Sequence, residues 1–145
     1  MRVVLDVNVL LSGLITGTTT PSRIIQSWEE DLFDIWASEH ILDGVARALM
    51  KPYWRRRLDH DQLQSRLAQL KADVRLVDPA EGIHGVADDD EDDLILATAV
   101  AARADYLVTG DKGLLGLGEF RGTPIVTPRT FLDELAGVDN WSNAT

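Results

Sequence analysis

Apolar runs and helical periodicities alternate along the chain from end to end. Arg2 to Val7 encloses the unbroken run Val3-Val4-Leu5, the length of a buried strand. The polar stretch Thr16 to Thr20 then reads as a loop before Pro21, a residue suited to a first helical position, and Ile24, Ile25, Trp28 and Leu32 follow at helical spacing. Phe33 to Ala37 predicts a short strand. Ser38 is placed to cap a helix whose inner face is Ile41, Leu42, Val45 and Leu49, and which Pro52 stops.

The second half repeats the alternation. Asp61 to Lys71 predicts a helix facing inward with Leu63, Leu67 and Leu70, Val74 to Val77 a strand, and Asp78 to Val86 a loop. From Glu91 to Arg103, the residues Ile95, Leu96, Ala99, Val100 and Ala102 describe a helix packed closely on a sheet. Asp105 to Thr109 is a further strand, Leu114-Leu115 a short turn and Pro124 to Val126 a last strand. Thr127 and Pro128 then open a helix docked by Phe131, Leu132 and Leu135. No repeat or linker divides residues 1–136, so the pattern predicts one α/β domain with a largely parallel sheet. Residues 137–145 read as a polar, mobile tail that Trp141 could anchor on the domain or on a neighbouring subunit.

Composition narrows the chemistry. At 145 residues and 45% hydrophobic, the chain can bury a substantial core. No apolar run has the length of a membrane span or the form of a secretory leader, so a cytoplasmic protein that does not enter membranes is expected. Cysteine is absent, which removes disulfides, thiolate metal sites and a cysteine nucleophile. The histidines His40, His60 and His84 are mutually distant, so a bound metal would take oxygen ligands and would be a hard cation.

The net charge of −10 argues against a broad basic surface for duplex nucleic acid. Much of that charge lies in Asp88-Asp89-Asp90-Glu91-Asp92-Asp93, at the start of a predicted helix. The helix dipole favours acids there by about 0.3–1 kcal/mol each, which accounts for one or two of them but not for six. Asp6 and Asp111 follow two predicted strands, and in an open parallel sheet ligands bind beyond the carboxyl ends of strands. Asp89 can share a helix face with Asp92 or Asp93, so separate segments converge on one acidic pocket. Magnesium or manganese would relieve the repulsion among these acids, and a pair of such ions can activate water for attack on a phosphodiester.

Three ordered motifs carry a family resemblance: Val4-Leu5-Asp6-Val7-Asn8-Val9, then Asp89-Asp90-Glu91-Asp92-Asp93-Leu94-Ile95-Leu96-Ala97-Thr98-Ala99, then Val108-Thr109-Gly110-Asp111-Lys112. With the closing Ile125-Val126-Thr127-Pro128-Arg129-Thr130-Phe131-Leu132, the chain resembles PIN-domain ribonucleases, most of all the toxins of toxin–antitoxin pairs. The resemblance implies a three-layer α/β/α domain and a Mg2+- or Mn2+-dependent endoribonuclease that cuts single-stranded RNA. It implies metal-site roles for Asp6, Asp92 and Asp111, support from Asn8 and Thr109, an outer role for Asp89, and a solvated position for Asp93. A cognate antitoxin and a homodimer are implied as partners.

One departure stands out. Where the family usually carries a glutamate on the helix after the second strand, this chain has Gly44, with Asp43 and Glu39 as possible substitutes. Restoring the acid by Gly44→Glu is expected to tighten manganese binding if that helix is regular. The basic segment Lys51 to Arg57, in which Arg55, Arg56 and Arg57 follow Tyr53 and Trp54, is a candidate RNA contact that would guide a strand toward the acids, or else a solvated loop. Two competing functions remain at this level. One is a PIN-like scaffold that binds RNA or a partner without cutting. The other is the aspartyl-phosphate chemistry of phosphatases and receiver domains, for which Asn8 stands where phosphatases place a second aspartate.

Overall fold

The structure is a computed structural model that describes residues 1–15, 17–56 and 59–144, with side chains through Gly137. Strand β1 (Arg2–Leu5) stops before Val7, because Asp6 turns the chain into helix α1 (Val7–Gly13). The Asp6 carboxylate accepts the Val9 N–H at 2.9 Å and caps that helix. The β-branched residues Val7 and Val9 favour strand, so α1 was not expected; burial of Val9, Leu10 and Leu11 overrides the local preference.

Helix α2 (Thr20–Glu29) is capped by Thr19, which makes Pro21 its second residue, and it ends before Leu32, left 43% exposed rather than on the inner face. Strand β2 (Asp34–Ala37) leads through the Ser38 cap into α3 (Glu39–Leu49). There follow α4 (Pro52–Arg55), α5 (His60–Asp73) and β3 (Arg75–Leu76), the last only the middle of the strand expected there. Helix α6 (Asp90–Ala102), β4 (Tyr106–Val108) and α7 (Lys112–Leu115) complete the segment that bears the acidic run. A hairpin of β5 (Glu119–Phe120) and β6 (Thr123–Val126) turns at Arg121-Gly122, both with positive φ, as a two-residue hairpin loop requires. Helix α8 (Pro128–Ala144) continues past Gly137 where a tail was expected, and the side chain of Trp141 lies outside the described residues.

The sheet order is β3-β2-β1-β4-β6-β5, parallel throughout except for the β5–β6 hairpin. This is a mixed α/β, PIN-like fold. Val3, Val4 and Leu5 are each fully buried although neighbours in a strand face opposite ways, so helices cover both sides of the sheet. Helix α6 packs across β1, β2 and β4, and the buried Ala97, Ala99 and Ala102 let it approach closely. In the other layer α8 packs on α2, with Phe131 edge-on to Phe33 and Tyr106 at 5.2 and 5.6 Å. Among the described residues no helix is long and apolar enough to cross a membrane.

Asp93, expected to be solvated, is only 4% exposed. Its carboxylate accepts the N–H groups of Gly85, Val86 and Ala87 at 2.9, 3.1 and 2.7 Å, tying the loop before α6 to the helix. Donation from Ala87 above all holds this carboxyl below the usual carboxylate range. Its stabilising contribution is therefore present above the ordinary pKa and is lost as pH falls through the depressed one. Asp93→Asn is expected to lower Tm near neutral pH and to speed amide exchange at Gly85, Val86 and Ala87, with the difference from wild type narrowing once pH falls below about 3.9. Hydrogen exchange and thermal melts across pH check both.

Candidate functional site

Strands β1 and β4 are neighbours at the point where strand order reverses, with Leu5 opposite Val108. The Asp6 N–H continues that ladder, donating to the Val108 carbonyl at 3.1 Å, so the first residue after β1 is fixed against the end of β4. Asp6 is 5% exposed, and its second carboxylate oxygen accepts the hydroxyl of Thr109, which is fully buried. Thr109 Oγ1 in turn accepts the Asp111 N–H at 3.0 Å. One hydroxyl thus positions two acids from different strands. Asp111 caps α7 by accepting the Leu114 N–H at 2.9 Å.

The third acid arrives from the other side. Asp89 caps α6, its Oδ1 accepting the N–H groups of Glu91 and Asp92 at 2.6 and 3.2 Å, which sets Asp92 in the first helical turn. The Asp92 carboxylate is partly buried and has no hydrogen-bond partner among the described residues. Loss of hydration, then repulsion from Asp89, Asp111, Asp6 and Glu91, pushes it up to about 6. Burial likewise raises Asp6, against the donors Thr109 and Val9, and Asp111 adds to that rise. Asp6, Asp92 and Asp111 therefore feel one another's charge.

These three acids and the exposed Asn8 line one cleft of about 390 Å3, as the sequence implied. Its opposite wall is α3 and the turn after it, with His40, Gly44, Arg47, Ala48 and Lys51. Asp89 stays outside the lining as a cap, and Asp43 and Glu39 are exposed on α3 and do not line the cleft. Arg55 and Arg56 are exposed on and after α4, away from the cleft, and Arg57 lies outside the described residues. A Cβ on Gly44 would meet Val7 Cγ2 at 2.8 Å, so the packing of α1 on α3 occupies the space a glutamate stem would need. The expectation that Gly44→Glu simply tightens metal binding is corrected on that ground.

Sequence reasoning missed three cleft residues and one neighbour. His40 and Arg47, with Gly44 and the already noted Lys51, follow the i, i+4, i+7, i+11 spacing of one helix face, a signal that was legible. Glu91 reaches the same cleft and pairs with Arg47 at 3.7 Å. Asp88 flanks Gly113 together with Asp111: a Cβ on Gly113 would stand 3.5 Å from Asp88 Oδ2 and 3.1 Å from Asp111 Oδ2. Nothing in the pattern of the acidic run singles Asp88 out.

The donor set fits a hard divalent cation in its chemistry: three carboxylates that repel one another, one of them without a hydrogen-bond donor, and no sulfur ligand. Among the described residues no three acidic or imidazole groups already stand close enough to enclose an ion, so binding would draw these carboxylates together.

Two stability effects follow. Thr109→Val leaves the buried Asp6 oxygen and the Asp111 N–H without their partner and is expected to cost about 1–3 kcal/mol in chemical denaturation. Asp92→Asn acts in the other direction, because a carboxyl whose folded pKa is raised opposes folding at neutral pH and ceases to do so in acid. With the charges screened by the open cleft, the gain is at most about 1 kcal/mol, or about 2–4 °C in Tm, at pH 7.5 without metal, and it vanishes below about pH 4. Melts of both proteins at the two pH values measure it.

The chain is similar to known proteins in sequence and in fold. An uncharacterized protein of Methanocaldococcus jannaschii is 23% identical over 142 residues, which cover 92% of this chain and 91% of that protein. Among solved structures, VapBC2 from Rickettsia felis, bound to a DNA fragment from their promoter, shares the fold with a TM-score of 0.60 at 15% identity, over 88% of this chain and 98% of the matched chain. The sequence profile described as PIN domain matches residues 2–113, a span that holds β1, α6, β4 and every acid of the cleft, and the chain belongs to the PIN domain family.

Proposed function

We propose that this PIN domain is a Mg2+- or Mn2+-dependent endoribonuclease that cuts single-stranded RNA by attack of water on a phosphodiester. The observation that carries this reading is the convergence of Asp6, Asp92 and Asp111 on one cleft, with Asp92 pushed up to about 6 by loss of hydration and then by its acidic neighbours. Asp6 and Asp111 are held in place by the shared Thr109 hydroxyl, while Asp92 keeps both oxygens free to take a ligand. When bound, the cation acidifies the attacking water and neutralises charge on the leaving oxygen. The chain's own groups do the rest: the acids would hold the cation and accept hydrogen bonds from the attacking water, and Asn8, which lines the cleft, is able to donate a hydrogen bond to the phosphate. A single strand suits a confined cleft in a protein of net charge −10 better than a duplex, which calls for a wide basic face.

The likeness to the VapBC2 fold supports a further reading as the toxin of a toxin–antitoxin pair, cytoplasmic, dimeric and held by a cognate antitoxin. A second reading, a scaffold that binds RNA or a partner without cutting, is favoured by one observation: Val7 fills the space an acid at position 44 would need.

Incubation of the purified protein with structured and unstructured RNAs separates the two. Cleavage is expected with Mn2+ or Mg2+, to stop in chelator, and to fall about 100-fold or more in Asp92→Asn, since loss of even an outer partner of a metal ligand costs 10–100-fold. Cleavage that survives chelator or the substitution overturns the metal mechanism, and its absence with either metal favours the scaffold. Since protons compete with the cation for Asp92, the Mn2+ concentration for half-maximal cleavage is expected to rise as pH falls from about 7.5 to 5.5. Gly44→Glu is expected to destabilise the fold by about 1–3 kcal/mol, and Val7→Ala in the same chain to recover part of that loss in denaturant titrations.

A further inference from the structure

The wall facing the acids has a charge pattern that the metal site does not explain. Three carboxylates outweigh the two positive charges of one divalent ion, so a phosphodiester entering the cleft still meets a net negative floor. Glu91, at the rim, adds to it. The cleft's compensating cations come from α3 and the turn that follows: Arg47 in the last turn of α3, and Lys51, which opens α4. Arg47 sits in the last turn of α3 and Lys51 just beyond its end, and both line the same cleft. Gly44, one turn before Arg47, puts no side chain of its own on that wall, and Val7 packs against it there.

The ion pair at the mouth bears on the same point. Arg47 and Glu91 meet across the cleft at 3.7 Å, with side chains 64% and 66% exposed. A pair so open to water contributes about 0–1 kcal/mol, so it does not hold the fold together and a competing anion can displace it. Lys51 has no ion-pair partner among the described residues.

We propose that Arg47 and Lys51 form a phosphate-holding wall that grips the RNA phosphodiester next to the one being cut, and that Glu91 is a displaceable latch that occupies Arg47 until the strand arrives. The inference rests on the nuclease reading for the word "cut", but the wall itself is a binding site and can be tested without turnover. Arg47 and Lys51 act as positioning residues: they hold the strand and leave the chemistry to the acids.

The test is fluorescence anisotropy of a labelled single-stranded RNA dodecamer titrated with the full chain in chelator across a salt series, with Mn2+-dependent cleavage as a separate arm. Arg47→Ala and Lys51→Ala are each expected to weaken binding several-fold and to reduce the slope of log affinity against log salt by about 0.7, the share of one phosphate contact on a single strand. Glu91→Gln is expected to tighten binding by freeing Arg47. Lys71→Ala, on α5 away from the cleft, serves as the control and should match wild type. All these side chains are exposed, so circular dichroism should show an unchanged fold. Wild-type affinity and salt slope in both Arg47→Ala and Lys51→Ala overturn the wall, even if the protein cleaves RNA. Weakened binding in those variants without any cleavage by wild type supports the wall and overturns the nuclease reading instead. Tightening absent in Glu91→Gln overturns the latch.

Discussion

Asp6 lies at the seam between β1 and β4, and most of what the structure can do depends on how that seam is closed. Its N–H donates to Val108 as the last rung of the ladder, its carboxylate caps α1 through Val9, and its other oxygen takes the Thr109 hydroxyl. A single residue therefore ends a strand, starts a helix and couples two strands across the point of sheet reversal. The consequence is an acid that is 5% exposed yet faces the cleft, with its geometry set by backbone groups rather than by flexible side chains.

The rest of the cleft is arranged by the same device, a carboxylate at a helix start. Asp111 caps α7 and Asp89 caps α6, and Asp92 follows in the first turn of α6. Capping and ligand binding do not compete here, because a carboxylate that accepts one N–H retains lone pairs for another partner. The cost is loss of hydration and, after it, repulsion, which together raise Asp6 and Asp92. Such stored repulsion is relieved only by a proton or a cation, which makes the apo fold slightly less stable than it need be and the site selective for positive charge.

Much of this was legible in the sequence. The alternation of apolar runs with helical spacing predicted the parallel sheet, and the placement of Asp6, Asp92 and Asp111 at element boundaries predicted their convergence. What was not legible depended on tertiary contacts. Val7 read as the end of the first strand, and α1 was not read at all, because the branched Val7 and Val9 favour strand locally and only burial of Val9, Leu10 and Leu11 makes the helix. Asp93 looked like one more solvated acid in a run of six, since nothing local shows that the chain folds back to present three N–H groups to it. Asp43 could substitute for the missing acid at Gly44 only through a locally distorted turn, because neighbouring helical residues differ by about 100°, and α3 is a continuous helix there with Asp43 outside the cleft lining. The basic segment Lys51 to Arg57 drew notice by its density, yet of its described cations only Lys51 lines the cleft, beside Arg47, which stands alone in the sequence.

The central claim is that Asp6, Asp92 and Asp111, from three separated segments, share one divalent cation. Anomalous diffraction from crystals grown with Mn2+ tests it most directly. The account predicts a strong peak within bonding distance of oxygens from all three carboxylates. A peak only among the exposed acids at the start of α6, or none at all, would contradict it.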